Sequence, residues 1–354
     1  MKTDAEVVRE LLAEHDPAKD VHGDLRERRL LMETILAGSP PARAAKRRKG
    51  LVPRLTRRRV VLTMATAAAG LAVIAADLLV SVNDRSVALA TTPLPLATGK
   101  PVYGAKVDAV LRDLAAKAER QPDTIGRGPV VYTKTSNWYL HTTVADRRTS
   151  AAVVPTTEEQ WIRPDGSGRQ VSQAGQPWFP TERSRQEWVK QGKPEWGAEN
   201  QDDRYGPGEL SLQPNADALP VDPAALRRVV SSRGEIRGTL AMLETIVDLH
   251  RQQPIRPRVQ GALLRLLADD DELGYAGTVK DRAGRPGAAF ILEHSQHGLP
   301  SRDVVIFDRR TGALLSTEEV LIKDPGKLPV QIPAVTDYTL FLKAARVDDV
   351  DRRP

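Results

Sequence analysis

The chain of 354 residues contains no cysteine. Disulfides, thiol nucleophiles, cysteine-ligated zinc or iron–sulfur centres and lipid attachment through an N-terminal cysteine are thereby excluded. Aromatic residues are scarce, at 4%, and none precedes Tyr103, so all 15 lie in the last 252 residues. The large folded body is therefore expected to begin near residue 103. Net charge is also small and localised. Residues 1–59 hold 15 Lys and Arg against 9 Asp and Glu, whereas the remaining 295 residues hold 37 of each. A nucleic-acid-binding domain concentrates its surplus on a folded surface, so no nucleic-acid partner is expected.

Catalytic signatures are missing too. There is no Gly-x-Ser-x-Gly elbow, no phosphate-cradling glycine loop before a helix and no His-Glu-x-x-His. His294 and His297 have the spacing of a ligand pair beside Glu293, yet spacing supplies no third ligand, and exposed loop histidines are the expectation. Asp269-Asp270-Asp271-Glu272 lacks the alternation and bend glycine of a calcium loop and reads as a solvated helix end. No catalytic residue, metal or cofactor is expected, and the chain reads as non-enzymatic.

What the chain does have is one long apolar run. Val60 to Val82 is interrupted only by Asp77, near its far end. Its 23 residues make a helix of about 34 Å at ~1.5 Å per residue, enough for a hydrocarbon core of about 30 Å. Lys46, Arg47, Arg48, Lys49, Arg54, Arg57, Arg58 and Arg59 precede it within 15 residues, and only Arg85 follows it within the same distance. Basic residues are retained on the cytoplasmic side, so residues 1–59 are expected inside and residues 83–354 outside. Thr56-Arg57-Arg58-Arg59-Val60-Val61 also has the form of a twin-arginine signal, with Ala88-Leu89-Ala90 as a small-x-small site. The run is long for a signal, and a retained anchor is preferred to cleavage after Ala90; both outcomes export the C-terminal body.

Before the span, residues 1–42 read as two short helices. Thr3 with Glu6 forms a capping box, and Asp24 with Glu27 opens the second helix, which ends near Gly38. Residues 43–59 form a basic juxtamembrane linker, and residues 83–102 are a Thr/Pro/Ala-rich spacer. Residues 103–354 read as one α+β body. A helix is predicted over 106–120, strand-forming residues over 129–144 and 159–163, and a turn at Asp165-Gly166-Ser167-Gly168 leading into 169–172. Helical spacing covers 222–232, 238–251 and 257–267; strands follow at 275–280, 286–294, 304–308, 313–323 and 336–347. Tight turns between alternating strands favour a curved antiparallel sheet, half-barrel-like, with helices covering one face. All five tryptophans lie between Trp138 and Trp196. Trp178, Trp188 and Trp196 occupy a polar stretch rich in Pro, Gly and Gln. They are candidates for a ligand-binding surface; the competing reading has them lid the sheet and anchor a long loop.

The order of these segments resembles a known family. Gly128-Pro129-Val130-Val131-Tyr132, Glu159-Gln160-Trp161-Ile162-Arg163-Pro164-Asp165-Gly166-Ser167-Gly168-Arg169, Gly277-Thr278-Val279-Lys280-Asp281 and Phe307-Asp308-Arg309-Arg310-Thr311-Gly312 carry the resemblance. The family is an actinobacterial set of single-pass membrane proteins of unassigned function, often encoded near extracytoplasmic-function sigma factors. More distantly, the body is similar to the half-barrels of periplasmic lipoprotein carriers. The resemblance implies fold and topology and assigns no catalytic residue.

The expected function is thus a plasma-membrane anchor carrying an extracytoplasmic domain that binds an apolar or envelope-derived ligand, or a partner protein. The alternative is a transmembrane regulator whose residues 1–42 hold a cytoplasmic sigma factor, although no cysteine is present for a zinc-type anti-sigma domain. A tag at the C-terminus should be digested by protease added to intact spheroplasts; a protected tag would reverse the topology.

Overall fold

A computed structural model describes residues 92–145, 148–179, 182–190, 200–212, 214–231, 238–295, 298–326 and 330–354. The expected cytoplasmic segment, the basic linker with Arg47, Arg48, Lys49, Arg57, Arg58 and Arg59, the span at 60–82 and Trp196 lie outside the described residues. Among the described residues no helix is long and apolar enough to cross a membrane.

The elements in chain order are α1 (Ala105–Glu119), β1 (Val130–Ala145), β2 (Arg148–Ile162), β3 (Gly168–Ala174), α2 (Glu182–Lys190) and β4 (Gln201–Tyr205). After a short 3-10 turn come α3 (Pro223–Val230), α4 (Thr239–Gln252), α5 (Pro257–Ala268), β5 (Gly274–Lys280), β6 (Pro286–His294), β7 (Ser301–Asp308), β8 (Leu314–Leu321) and β9 (Ala334–Val347). The strands form one antiparallel sheet in the order β4-β3-β2-β1-β9-β8-β7-β6-β5. The sheet is curved and unclosed, and the architecture is α+β. Two meanders, β1–β4 and β5–β8, are joined because β9 fits between β1 and β8 and pairs with both. Register shifts interrupt the ladder at Lys134/Thr135, Tyr275/Thr278, Ile306/Phe307 and Glu319/Val320. Such bulges bend a strand and increase its local twist, which suits a curved sheet.

Local chemistry accounts for most element ends. Asp222 caps α3 by accepting from the Ala225 N–H at 2.8 Å, with Pro223 at the first helical position. In the β7–β8 turn, Asp308 Oδ1 accepts from the Arg310 and Thr311 N–H groups. Gly312 in that turn has φ of 68° and its backbone presses on α1, where a Cβ would meet the Leu114 carbonyl at 2.7 Å. Only glycine fits there.

Several elements depart from the pattern read in the sequence. The strand-forming run at 129–144 is one long strand, as one of its two readings had it, whereas β2 starts at Arg148, eleven residues before the expected Glu159. Pro155 hid that extension. Its carbonyl accepts from the Gly175 N–H at 2.7 Å, so its nitrogen faces past the end of β3 and the pairing with β1 loses nothing. The polar stretch around Trp188, read as a long loop, contains α2, and β4 was not foreseen at all. β4 is short, charged and exposed, the composition that protects a sheet edge and obscures a strand.

One face of the sheet carries the helices. Phe290, Leu292, Val305 and Phe307 pack beneath Leu111 and Leu114 of α1, Leu243 and Ile246 of α4, and Leu263 and Leu267 of α5 in one buried cluster. On the opposite face, Ala289, Ile291, Val304 and Ile306 are covered in part by Leu96 of the N-terminal strap. That strap is fastened by a buried ion pair. Glu318, 1% exposed, receives the Arg282 Nε–H at 2.8 Å on Oε2 and the Leu96 N–H at 2.9 Å on Oε1. Arg282 also donates to the Leu94 carbonyl at 2.9 Å and lies over the Trp138 and Tyr338 rings, 5.3 and 5.2 Å from their centroids. Both carboxylate oxygens of Glu318 are occupied and the guanidinium is flanked by two rings, so the pair fixes the geometry of the strap. At the other half of the sheet Trp161 is fully buried and donates its indole N–H to the Arg352 carbonyl at 2.7 Å. Arg169 and Arg353 cover its ring.

Phe290 lies between the Tyr275 and Phe307 rings, at 5.5 and 6.0 Å. Phe290→Ala should therefore lower unfolding stability by about 3–5 kcal/mol, read as a lower urea midpoint with unchanged slope.

Candidate functional site

The helix-covered face is apolar over β6 and β7 and polar over β9, β1 and β2. Strand alternation produces this. In β1, Thr133, Thr135 and Asn137 point to the helix side, and all are buried. Across the ladder they face Gln160, Glu158 and Thr156 of β2, and Thr135 and Asn137 face Phe341 and Thr339 of β9. Two residues on from Thr339, Asp337 shares its face, as do Glu319 and Asp303, which stand opposite it in turn on β8 and β7. Three acidic residues thus occupy one rung. Helix α4 lies against β1 and β9, and Arg251 in its last turn donates to Thr339 Oγ1 at 3.1 Å. The same guanidinium pairs with Asp248 at 3.6 Å.

Asn137 stands at the centre. It is diagonal to Glu158 on one side and to Asp337 on the other, and such diagonal neighbours are within side-chain reach. Its amide donates to Thr135 Oγ1 at 3.1 Å. Two acceptors here have no hydrogen-bond partner: Asn137 Oδ1 and Asp337 Oδ2, on residues 0% and 7% exposed. Burial pushes the Asp337 carboxyl up to about 6, with Asp303 and Glu158 adding to the rise and Arg251 opposing it. Burial raises Glu158 as well, against Arg251 and a hydrogen bond from Asn137. One guanidinium therefore serves more carboxylates than it can neutralise, in a setting that water does not screen.

The residues singled out in the sequence sit elsewhere. Trp178 joins the β2 edge through its N–H to the Val153 carbonyl at 2.8 Å and is half-buried. Trp188 of α2 is half-buried too, stacked 5.2 Å from Phe179 and packed on Val154 and Ala174. The structure brings Trp188 to the helix-covered face at β2 and β3, beyond Glu158. His294, expected as an exposed loop histidine, is instead buried, 4% exposed, with Nε2 3.2 Å from Asp303 Oδ2. Strand β6 extends through His294 and turns its side chain inward beside β7. His297 lies outside the described residues. His250 is also committed: its ring nitrogens contact the Ile246 carbonyl and Gln260 Oε1, each at 2.7 Å. Among the described residues no group of three His, Asp or Glu side chains could hold a metal ion.

Sequence reasoning missed Asp337, Glu158, Asn137 and Arg251. A signal existed: Thr133, Thr135 and Asn137 alternate as polar residues through a strand whose other face carries Tyr132 and Trp138. A buried polar stripe follows from that alternation only once the covering helix is placed.

No family model and no curated protein matches the chain. Among solved structures, a LolA superfamily protein from Nitrosomonas europaea aligns over 68% of this chain and 95% of its own, at 10% identity and a TM-score of 0.13. A likeness of that size carries no argument about fold or activity.

Asp337 provides a direct test. Its folded-state pKa lies above the unfolded value, so the folded chain holds an extra proton between about pH 4 and 6, and stability falls as pH rises through that window. Asp337→Asn should raise unfolding stability at pH 7.5 by on the order of 2–3 kcal/mol and change it little at pH 4. Urea titrations at both pH values measure this.

Proposed function

We propose that the chain is a single-pass, membrane-anchored envelope protein whose exported body binds a ligand rather than transforming one. In this reading the basic residues before the span hold the N-terminus in the cytoplasm, and the sheet and its helices face outward.

The observation that carries the reading is the pair of buried, unpartnered acceptors on Asn137 and Asp337. Leaving one buried polar group unsatisfied costs about 1–3 kcal/mol. At the buried Arg282–Glu318 pair, by contrast, both carboxylate oxygens are occupied. Ser316 Oγ, Tyr338 OH and Gln170 Oε1 are single unpartnered atoms elsewhere, but two acceptors on neighbouring strands under the helices, one of them a carboxylate, give the residual hydrogen-bonding capacity that a binding site needs. Among the described side chains, His294 pairs with Asp303, and His250 is engaged on both nitrogens, so neither serves as a base to a nucleophile here. The apolar half of the same face is filled by the protein's own helices, so the contacts left for a ligand are polar.

Native mass spectrometry of the full chain, extracted in detergent from its own membranes, should show a bound mass that diminishes in Asn137→Ala. Repeated preparations bearing no adduct would overturn the proposal.

A further inference from the structure

The site's chemistry narrows the ligand, and the narrowing rests on the binding reading above. We infer that Asp337, Asn137 and Glu158 form a receptor for a primary ammonium group.

Three features select that chemistry. First, two acceptors without a hydrogen-bond partner stand side by side, Asp337 Oδ2 and Asn137 Oδ1, with the Glu158 carboxylate on the far side of Asn137. An anion would meet oxygen here, while the nearby donor Arg251 is already joined to Thr339 and Asp248. A primary ammonium brings N–H donors to a site whose remaining capacity is to accept. Second, the charge balance favours a cation. Arg251 faces Glu158 and Asp337 together with Asp248, and the adjoining rung adds Glu319 and Asp303, the latter paired with His294. Third, the oxygens are not gathered for inner-sphere coordination, since among the described residues no three His, Asp or Glu side chains could hold a metal. Hydrogen bonds of about 2.7–3.2 Å bridge wider separations than metal–oxygen bonds of about 2.0–2.6 Å.

The site is closed at its centre and partly exposed at its margin. Asp337 and Asn137 are buried, but Glu158 and Arg251 keep partial exposure at the margin of the helical cover. In this inference the ammonium group reaches the acceptors from the Glu158 side, the partly exposed margin. The ionised form of Asp337 is the one that would bind, so affinity should increase from pH 5 to pH 7.5. Arg251, Asp248, Asp303, Glu158, Glu319 and His294 are the titratable or charged groups around it.

The test uses the full chain in detergent, with tryptophan fluorescence reporting the melting temperature. Ethylammonium, tetramethylammonium and potassium chlorides are compared at equal ionic strength and pH 7.5. Ethylammonium should raise the melting temperature saturably, whereas tetramethylammonium, which has no N–H, and potassium should not. Asp337→Asn should weaken the ethylammonium response at least tenfold in concentration, and Glu158→Gln gives a second variant with the same expected direction. An equal effect of potassium, an undiminished response in both variants, or no response in the wild type would each overturn the ammonium assignment. If it falls while the co-purified mass described above persists, the binding reading stands and only the ligand class is wrong.

Discussion

Strand β9 holds the molecule together. Its fourteen residues hydrogen-bond to β1 on one side and β8 on the other, closing the gap between two meanders, the first ending at Tyr205 and the second beginning at Gly274. Neither meander has another route into a common sheet. The cost is that, beside its neighbour β8, the last strand must find β1 far away in sequence, so the two halves of the sheet can join only after loop closure has been met. β9 also distributes chemistry between the faces. Tyr338 contributes to the aromatic bed of Arg282, while Asp337 and Thr339 join the polar stripe beneath α4.

Those two faces treat buried charge in opposite ways. At Glu318 both carboxylate oxygens are occupied, one by Arg282 and the other by a backbone N–H, and two aromatic rings flank the guanidinium. Burial still raises the Glu318 carboxyl, with Arg282 opposing it. At Asp337 burial is as complete, but the counter-charge is shared and one oxygen has no partner. A buried pair with full hydrogen bonding specifies geometry; an incompletely paired carboxylate is a standing cost in the folded state. The first network explains how the N-terminal strap is held, and the second is why a bound cation would be stabilising.

Much of the body was legible from local pattern. The helices over residues 105–119, 239–252 and 257–268 follow apolar spacing, and the hairpins of β5 to β8 follow their turn residues. The misses have local causes. Pro155 concealed the first part of β2, the charge of Gln201–Tyr205 disguised an edge strand, and the lack of any aliphatic residue but Val189 hid α2 within a stretch that reads as a loop. His294 was placed on its strand but read as exposed, because strand periodicity does not show which face a neighbouring element will cover.

The candidate site marks the boundary between the two kinds of information. Sequence alone determined the absence of thiol chemistry, the confinement of aromatic bulk to residues after 103 and the periodicities that make strands and helices, because each depends on residues adjacent or nearly adjacent in the chain. Only tertiary structure decided that Asn137, Glu158, Arg251 and Asp337 share one place. They lie on four different elements, and their proximity follows from β9 pairing with β1 and from α4 crossing both strands. Burial of those groups is likewise a property of the assembled layers, since a carboxyl loses its water only when a neighbouring element covers it.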